Sequence, residues 1–183
     1  VVQKGDHLPA DLFTKLFQSC GATRIITIDL HNPLTAKNSL VPLISIDVIS
    51  EFVTEFKKTG EQSDALTIVS PDLGSKKRAE KFRDLLDSSL PVCWLEKHRN
   101  PKTGAVHSKK LLGVRQGTTA LIVDDICDTG STIKECVRRL KKDGSKTFYL
   151  CVTHPVFSDN AVHTLHALRF KKIFVANTIP LSA

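Results

Sequence analysis

The chain contains no methionine, a single tryptophan and a single tyrosine, and aromatic residues make up only 6% of it. Proteins that hold single-stranded nucleic acid stack its bases on aromatic side chains set among basic ones. No such run occurs here, so the net charge of +7 reads as solvated helix faces and sites for small phosphorylated molecules, with no nucleic-acid partner expected. Long apolar runs are also missing. Nothing approaches the roughly 20 residues that cross a bilayer, and no membrane partner is expected. The five cysteines (Cys20, Cys93, Cys127, Cys136, Cys151) form no CxxC pair, which excludes a zinc ribbon or a thioredoxin motif. Most sit among apolar neighbours as small core residues, and a reducing, cytoplasmic setting is expected. The sequence begins at Val1 without a signal-peptide pattern, and the expectation is a piece of a longer protein. Residue identities show neither an internal repeat nor a low-complexity tract.

What is present is an ordinary globular composition, 41% hydrophobic and 25% charged. Its 183 residues suffice for one domain with a real core, or one domain and part of another. Helical and strand periods alternate. Leu12, Phe13, Leu16 and Phe17 stripe a helix that starts at Pro9 and ends at Gly21. Residues 24–30 read as a buried strand. Val48, Ile49, Phe52, Val53 and Phe56 stripe a second helix closed by Gly60. Strands are expected at 65–69, 92–95, 120–123, 148–152 and 173–176, with helices over 79–86, 132–142 and 161–168 between them. Residues 97–117 break the rhythm and read as a long polar loop of the kind that serves as a lid. The alternation predicts an α/β fold with a mostly parallel sheet flanked by helices.

In such sheets the ligand lies beyond the carboxyl ends of the strands. Four polar groups follow apolar strands: Asp29-Leu30-His31, Ser70-Pro71-Asp72, Lys97-His98-Arg99 and Asp124-Asp125. The strongest signal is the run over residues 120–132, Ala-Leu-Ile-Val-Asp-Asp-Ile-Cys-Asp-Thr-Gly-Ser-Thr. An apolar strand leads into paired acids, then a small-residue loop, then a helix. Paired carboxylates can accept hydrogen bonds from two neighbouring sugar hydroxyls. The small loop lets backbone N–H groups surround a phosphate, and the helix start adds its positive dipole end. An acidic strand end followed by a Ser/Thr helix cap would explain Ser131 or Thr132 but not the ordered whole.

This run resembles the phosphoribosyl-pyrophosphate (PRPP) loop that type I phosphoribosyltransferases share with the ribose-phosphate pyrophosphokinases, or PRPP synthetases. Further segments resemble the synthetases in order: residues 24–31 ending in Asp-Leu-His, residues 67–72 ending in Ser-Pro-Asp with Gly74 and Lys77-Arg78 beyond, Lys97-His98-Arg99, Thr153-His154 with Phe157-Ser158, and residues 177–180. The resemblance implies a type I phosphoribosyltransferase-like fold. Residues 1–60 would be the end of an N-terminal domain, and residues 61–183 a second, similar domain carrying the PRPP loop.

The activity it implies is transfer of pyrophosphate from ATP to the 1-hydroxyl of ribose 5-phosphate, giving PRPP and AMP for nucleotide biosynthesis, with Mg2+ as cofactor. Lys97 and Arg99 would be catalytic, stabilising the transferring phosphoryl oxygens. Asp124, Asp125, Asp128, Thr129, Gly130, Ser131 and Thr132 would bind ribose 5-phosphate. Gly74, Ser75 and Lys76 would cradle pyrophosphate, and His31 and Asp72 would hold magnesium. His107, His154, His163 and His166 are left structural. Synthetases of this family form homodimers and often hexamers. Two departures stand out: residues 32–46 contain no acid, and Leu73-Gly74-Ser75 replaces a tandem glycine. They keep open a non-catalytic, synthetase-associated regulatory subunit. A phosphoribosyltransferase that consumes PRPP is the other alternative.

Overall fold

Strands form where Val, Ile and Leu cluster, and helices where the apolar period lengthens to a stripe. The computed structural model describes residues 9–32, 34–61, 65–99, 106–113 and 117–181, with the side chains of 9–11, 97–99 and 106–109 outside that description. The chain divides into two compact units, residues 1–48 and 49–183.

In the first unit, helix α1 (Pro9–Ser19) leads to strand β1 (Ile25–Ile28), a short helix α2 (Leu34–Asn38) and strand β2 (Leu43–Ile46). The two strands pair in parallel, Ile25 opposite Leu43 and Ile28 opposite Ile46. Sequence periodicity did not reveal α2 or β2. Both are shorter than the window in which a helical or alternating period declares itself.

The second unit opens with helix α3 (Ile49–Lys57), followed by β3 (Leu66–Ser70), α4 (Lys76–Leu86), β4 (Val92–Arg99), β5 (Val106–Gly113), β6 (Thr119–Cys127), α5 (Ser131–Lys142), β7 (Thr147–Pro155), α6 (Ala161–Leu168) and β8 (Lys172–Val175). Six strands form one sheet in the order β5-β4-β3-β6-β7-β8. All neighbours are parallel except β4 and β5, which run antiparallel with Trp94 opposite Leu112. The expected long loop over residues 97–117 is therefore corrected. Most of it is the end of β4 and an edge strand. An edge strand pairs on one side only and tolerates a polar sequence, which is why its pattern was faint.

Helix α3 belongs with this second unit, ahead of the boundary near Gly60 expected from the sequence. The reason is its buried stripe, Ile49, Phe52, Val53 and Phe56. The Phe56 ring meets Tyr149 at 5.1 Å, Phe82 at 6.2 Å and Phe174 at 6.3 Å, each edge to face. Burial of a ring of this size stabilises the fold by roughly 2 kcal/mol. The other sheet face packs Ile122, Phe148, Leu150 and Val152 against Ile133, Val137 and Leu140 of α5 and Leu165 of α6.

At the amino ends of β6 and β7, Glu61 gathers three donors. It accepts the Tyr149 hydroxyl at 2.5 Å, the Lys171 ammonium at 2.9 Å and the Thr119 hydroxyl at 3.3 Å. At the carboxyl ends, the strand order reverses between β3 and β6: the chain leaves β3 for β4 on one side and returns to β6 on the other. A reversal of this kind opens a crevice.

Candidate functional site

The crevice is built by the ends of β6 and β3. The first seven of the nine β6 residues, Thr119 to Asp125, are buried without a break, so the strand carries its two acids into the protein rather than out to solvent. Asp124 and Asp125 are each only 7% exposed. Buried carboxylates need donors. Asp124 Oδ1 accepts the Ser75 hydroxyl at 2.5 Å and the Asp125 N–H at 3.0 Å. Asp125 Oδ1 accepts the Ile126 N–H at 2.8 Å, and its Oδ2 lies 4.0 Å from the Arg78 guanidinium. The vicinal acids are thus distinct. One is tied to the loop before α4 and the other to the first turn of α4.

Burial pushes the Asp124 carboxyl up to about 7. The bond from Ser75 opposes that rise, and the nearby charges of Asp125 and Asp72 add to it. Cys127, buried beside them, is pushed up to about 11 by burial and then by the Asp124 charge. Its thiol is accordingly a neutral core group, as the sequence suggested for the cysteines.

Beyond β6 the chain turns through Asp128, Thr129 and Gly130 into α5. Gly130 holds the N-cap position with φ +74°, a conformation that costs glycine little and other residues much. Gly130 has no side chain to cap α5, the first turn carries no acid, and the Thr129 hydroxyl oxygen accepts the Ser131 N–H only at 3.4 Å. The simple Ser/Thr cap is therefore not what Ser131 and Thr132 provide. Thr129 donates its hydroxyl to the Ser131 oxygen at 3.1 Å, so the loop is closed by its own small side chains. A helix start with so long a side-chain cap and no acid favours an anion.

The loop after β3 forms the facing wall. Ser70 donates to the Asp72 carbonyl at 2.5 Å, and Asp72 Oδ1 accepts the Ser75 N–H at 3.2 Å. Leu73 is 59% exposed and points away from the packed core. The turn leads into α4, which opens on Lys76, Lys77 and Arg78 and has no acid in its first turn. Lys76 Nζ stands 3.9 Å above the Trp94 ring and 3.6 Å from Glu80. The structure therefore brings together Asp72, Gly74, Ser75, Asp124 and Asp125 in one crevice. Asp128, Thr129, Gly130, Ser131 and Thr132 follow directly along the chain.

Lys97 and Arg99 lie near the end of β4, the strand next to β3, and their side chains are outside the described residues. His31 follows β1 in the first unit, beyond Asp29, whose φ of +47° turns the chain out of the strand. Among the described residues no cluster of three or more His, Cys, Asp or Glu side chains is arranged to hold a metal. Asp72, Asp124 and Asp125 do offer the hard oxygen donors magnesium takes, and magnesium carried on a polyphosphate needs only one or two carboxylates. His107 lies among the residues whose side chains are not described. The His154 ring nitrogen Nδ1 sits 3.0 Å from the Thr178 hydroxyl, an internal contact that fits a structural role.

The match to known proteins is broad. Residues 43–178 fit the family model described as the phosphoribosyl transferase domain. The chain belongs to the phosphoribosyl transferase domain family. Within it, the chain is similar to the ribose-phosphate pyrophosphokinases of Thermosipho africanus, at 34% identity over 95% of the chain and 54% of the relative, and of Halalkalibacterium halodurans, at 36% over 96% and 54%. Among solved structures it superposes on the phosphoribosylpyrophosphate synthetase of Mycobacterium smegmatis with a TM-score of 0.87 and 29% identity, covering 98% of this chain and 57% of that one. The chain spans about half the length of the curated relatives it matches. The mostly parallel sheet expected from the sequence is this family's fold.

Two residues that contact these acids had no role assigned from the sequence. Arg78 stood in a run of basic residues that looks like a solvated helix face, and only the fold turns it toward Asp125. Ser158 donates its hydroxyl to Asp128 Oδ1 from a loop 30 residues away in the chain.

Proposed function

We propose that this chain carries the sugar-phosphate half of a ribose-phosphate pyrophosphokinase. The observation that carries the reading is the crevice between β3 and β6. It sets a buried acid pair against an α4 that opens on three cations, with the small-residue loop and the start of α5 following directly along the chain. The curated relatives bear the same activity in their names. The reaction moves the pyrophosphoryl group of ATP onto the C1 oxygen of ribose 5-phosphate. The bond from the α-phosphate bridge to the β-phosphorus breaks, the C1–O–P bond forms, the hydroxyl proton leaves, and AMP departs.

In this reading the 5-phosphate lies at the start of α5, held by the loop Asp128, Thr129, Gly130, Ser131 and Thr132. The sugar hydroxyls face Asp124 and Asp125. Gly74, Ser75 and Lys76 border the pyrophosphate. Lys97 and Arg99 come from the adjacent strand end to meet the transferring oxygens, which gain charge in the transition state. His31 is the candidate ligand for the magnesium carried by ATP and Asp72 for a second magnesium near the ribose, ions that would supply neutralising charge to the phosphate oxygens. The unit of residues 1–48 is then the end of an N-terminal phosphoribosyltransferase-like domain, and the unit of residues 49–183 most of a second. A homodimer or hexamer in the cytoplasm, with neither nucleic acid nor membrane as partner, completes the proposal. No helix among the described residues is long and apolar enough to cross a membrane.

A second reading has its own support. The groups that would receive pyrophosphate are engaged within the protein: Ser75 with Asp124 and Asp72, Lys76 with Trp94 and Glu80. A regulatory subunit that binds ribose 5-phosphate without turnover would look like this. Phosphorus NMR with magnesium, ATP and ribose 5-phosphate separates the two. AMP and PRPP appearing together support the synthetase. Ribose 5-phosphate binding without turnover supports the regulatory subunit. No binding of ribose 5-phosphate refutes both.

A further inference from the structure

The loop between β7 and α6, residues 156–160, takes no part in the sheet, yet it is held in an unusual conformation. Phe157 has φ +47° and Asp159 φ +51°, so left-handed residues flank Ser158 on both sides. Such backbone is unfavourable for residues with a side chain and persists only when its surroundings enforce it. The enforcing contacts point to the PRPP loop. The Phe157 N–H donates to the Cys127 carbonyl at 3.0 Å, and the Ser158 hydroxyl donates to Asp128 Oδ1. Phe157 packs, partly buried, against the core cluster that includes Cys127 and Leu165. The next helix meets the same loop: a Cβ placed on Gly130 would stand 3.6 Å from the Thr164 methyl and 3.8 Å from the Ala161 carbonyl.

Asp128 itself is exposed, on a loop of small residues. An exposed carboxylate in such a place samples several rotamers unless a fixed donor selects one. A serine hydroxyl is short, so the backbone must deliver it, and the paired left-handed residues do so. We infer that Ser158 is a positioning residue for ribose 5-phosphate. It orients the Asp128 carboxylate before the sugar arrives, and the β7–α6 loop frames the PRPP loop from the side. This rests on the sugar-phosphate reading above, since it assigns Asp128 to the ribose 5-phosphate site. Preorganisation of this kind lowers the ordering cost of binding without adding a contact to the ligand.

The test is calorimetric titration of ribose 5-phosphate and, separately, of magnesium ATP into wild type, Ser158→Ala and Ser158→Thr, with a urea unfolding curve for each. Loss of one orienting bond to a charged group is expected to weaken ribose 5-phosphate binding by about tenfold in Ser158→Ala. Affinity for magnesium ATP and the urea midpoint should stay at wild-type values, and Ser158→Thr, which keeps the hydroxyl, should recover ribose 5-phosphate affinity. Adding Asp128→Ala to Ser158→Ala should cost no more affinity than Asp128→Ala alone. Unchanged ribose 5-phosphate affinity in Ser158→Ala overturns the inference. So does a parallel fall in both affinities and in stability, which would make Ser158 a structural latch only. Absence of binding by the wild type is a different result. It defeats the sugar-phosphate reading itself and the positioning role with it.

Discussion

Replacing Asp124 with asparagine should stabilise the protein at neutral and alkaline pH while changing it little under acid conditions. The Asp124 carboxyl is held up at about 7, against an ordinary 3.8, chiefly because it is buried. A folded state that raises a carboxyl in this way binds its proton more tightly than the unfolded chain does. The stability linked to it is therefore fully present below about pH 4, and it is lost as pH rises through about 7. The whole span corresponds to a loss of up to about 4 kcal/mol, most of it between about pH 5 and pH 8. Asparagine carries no charge at any of these values, and its Oδ1 can still accept the Ser75 hydroxyl that now reaches Asp124 at 2.5 Å. Its advantage over aspartate should widen by about 2–3 kcal/mol between pH 5 and pH 8. Urea unfolding in chelator-containing buffer measures this, with fluorescence of Trp94, the single tryptophan, as the probe. A stability gap that stays constant with pH would refute the reasoning, as would an asparagine variant weaker than wild type at pH 8. Either would mean that water or a cation reaches the carboxylate and removes the desolvation on which the argument rests.

Two further outcomes follow from the same structure. Lys97→Ala should lower kcat by about 10²–10³-fold while leaving ribose 5-phosphate affinity nearly unchanged, because the proposed contact forms only in the transition state; steady-state kinetics with separate binding titrations would show it, and equal losses in both would count against the role. Gly117→Ala should destabilise by more than about 2 kcal/mol in urea unfolding, since φ there is +65° and the added Cβ would lie 2.3 Å from the Ala65 carbonyl oxygen; a change under about 0.5 kcal/mol would show that the turn before β6 relaxes freely.

Particular elements show how far the residues alone could be followed. The run from Ala120 to Thr132 reads directly as strand, acid pair, small loop and helix, and β6 and α5 form over it. Their signals are local: an apolar run, a glycine at the turn, a stripe every three or four residues. The stripe of α3 was equally legible, but not the unit it would join, because an apolar face does not name the surface that covers it. β2 and β5 escaped notice for opposite reasons. One is four residues long, and the other is a polar edge strand that needs pairing on one side only.

Within the crevice the same division holds. Residue types and spacing determined the chemistry on offer: carboxylates at a strand end, small residues before a helix, cations on the next one. These depend on neighbours in the chain, where side-chain identity decides local conformation. Tertiary structure alone decided which partner each group took. Asp124 and Asp125 are adjacent and chemically identical in sequence, yet one bonds Ser75 and the other faces Arg78. Ser158 meets Asp128 across 30 residues, and Ser75 meets Asp124 across 49. Contacts at such separations depend on the order and direction of strands in a sheet. That order is set by the burial of many residues together, and no short stretch of sequence contains it.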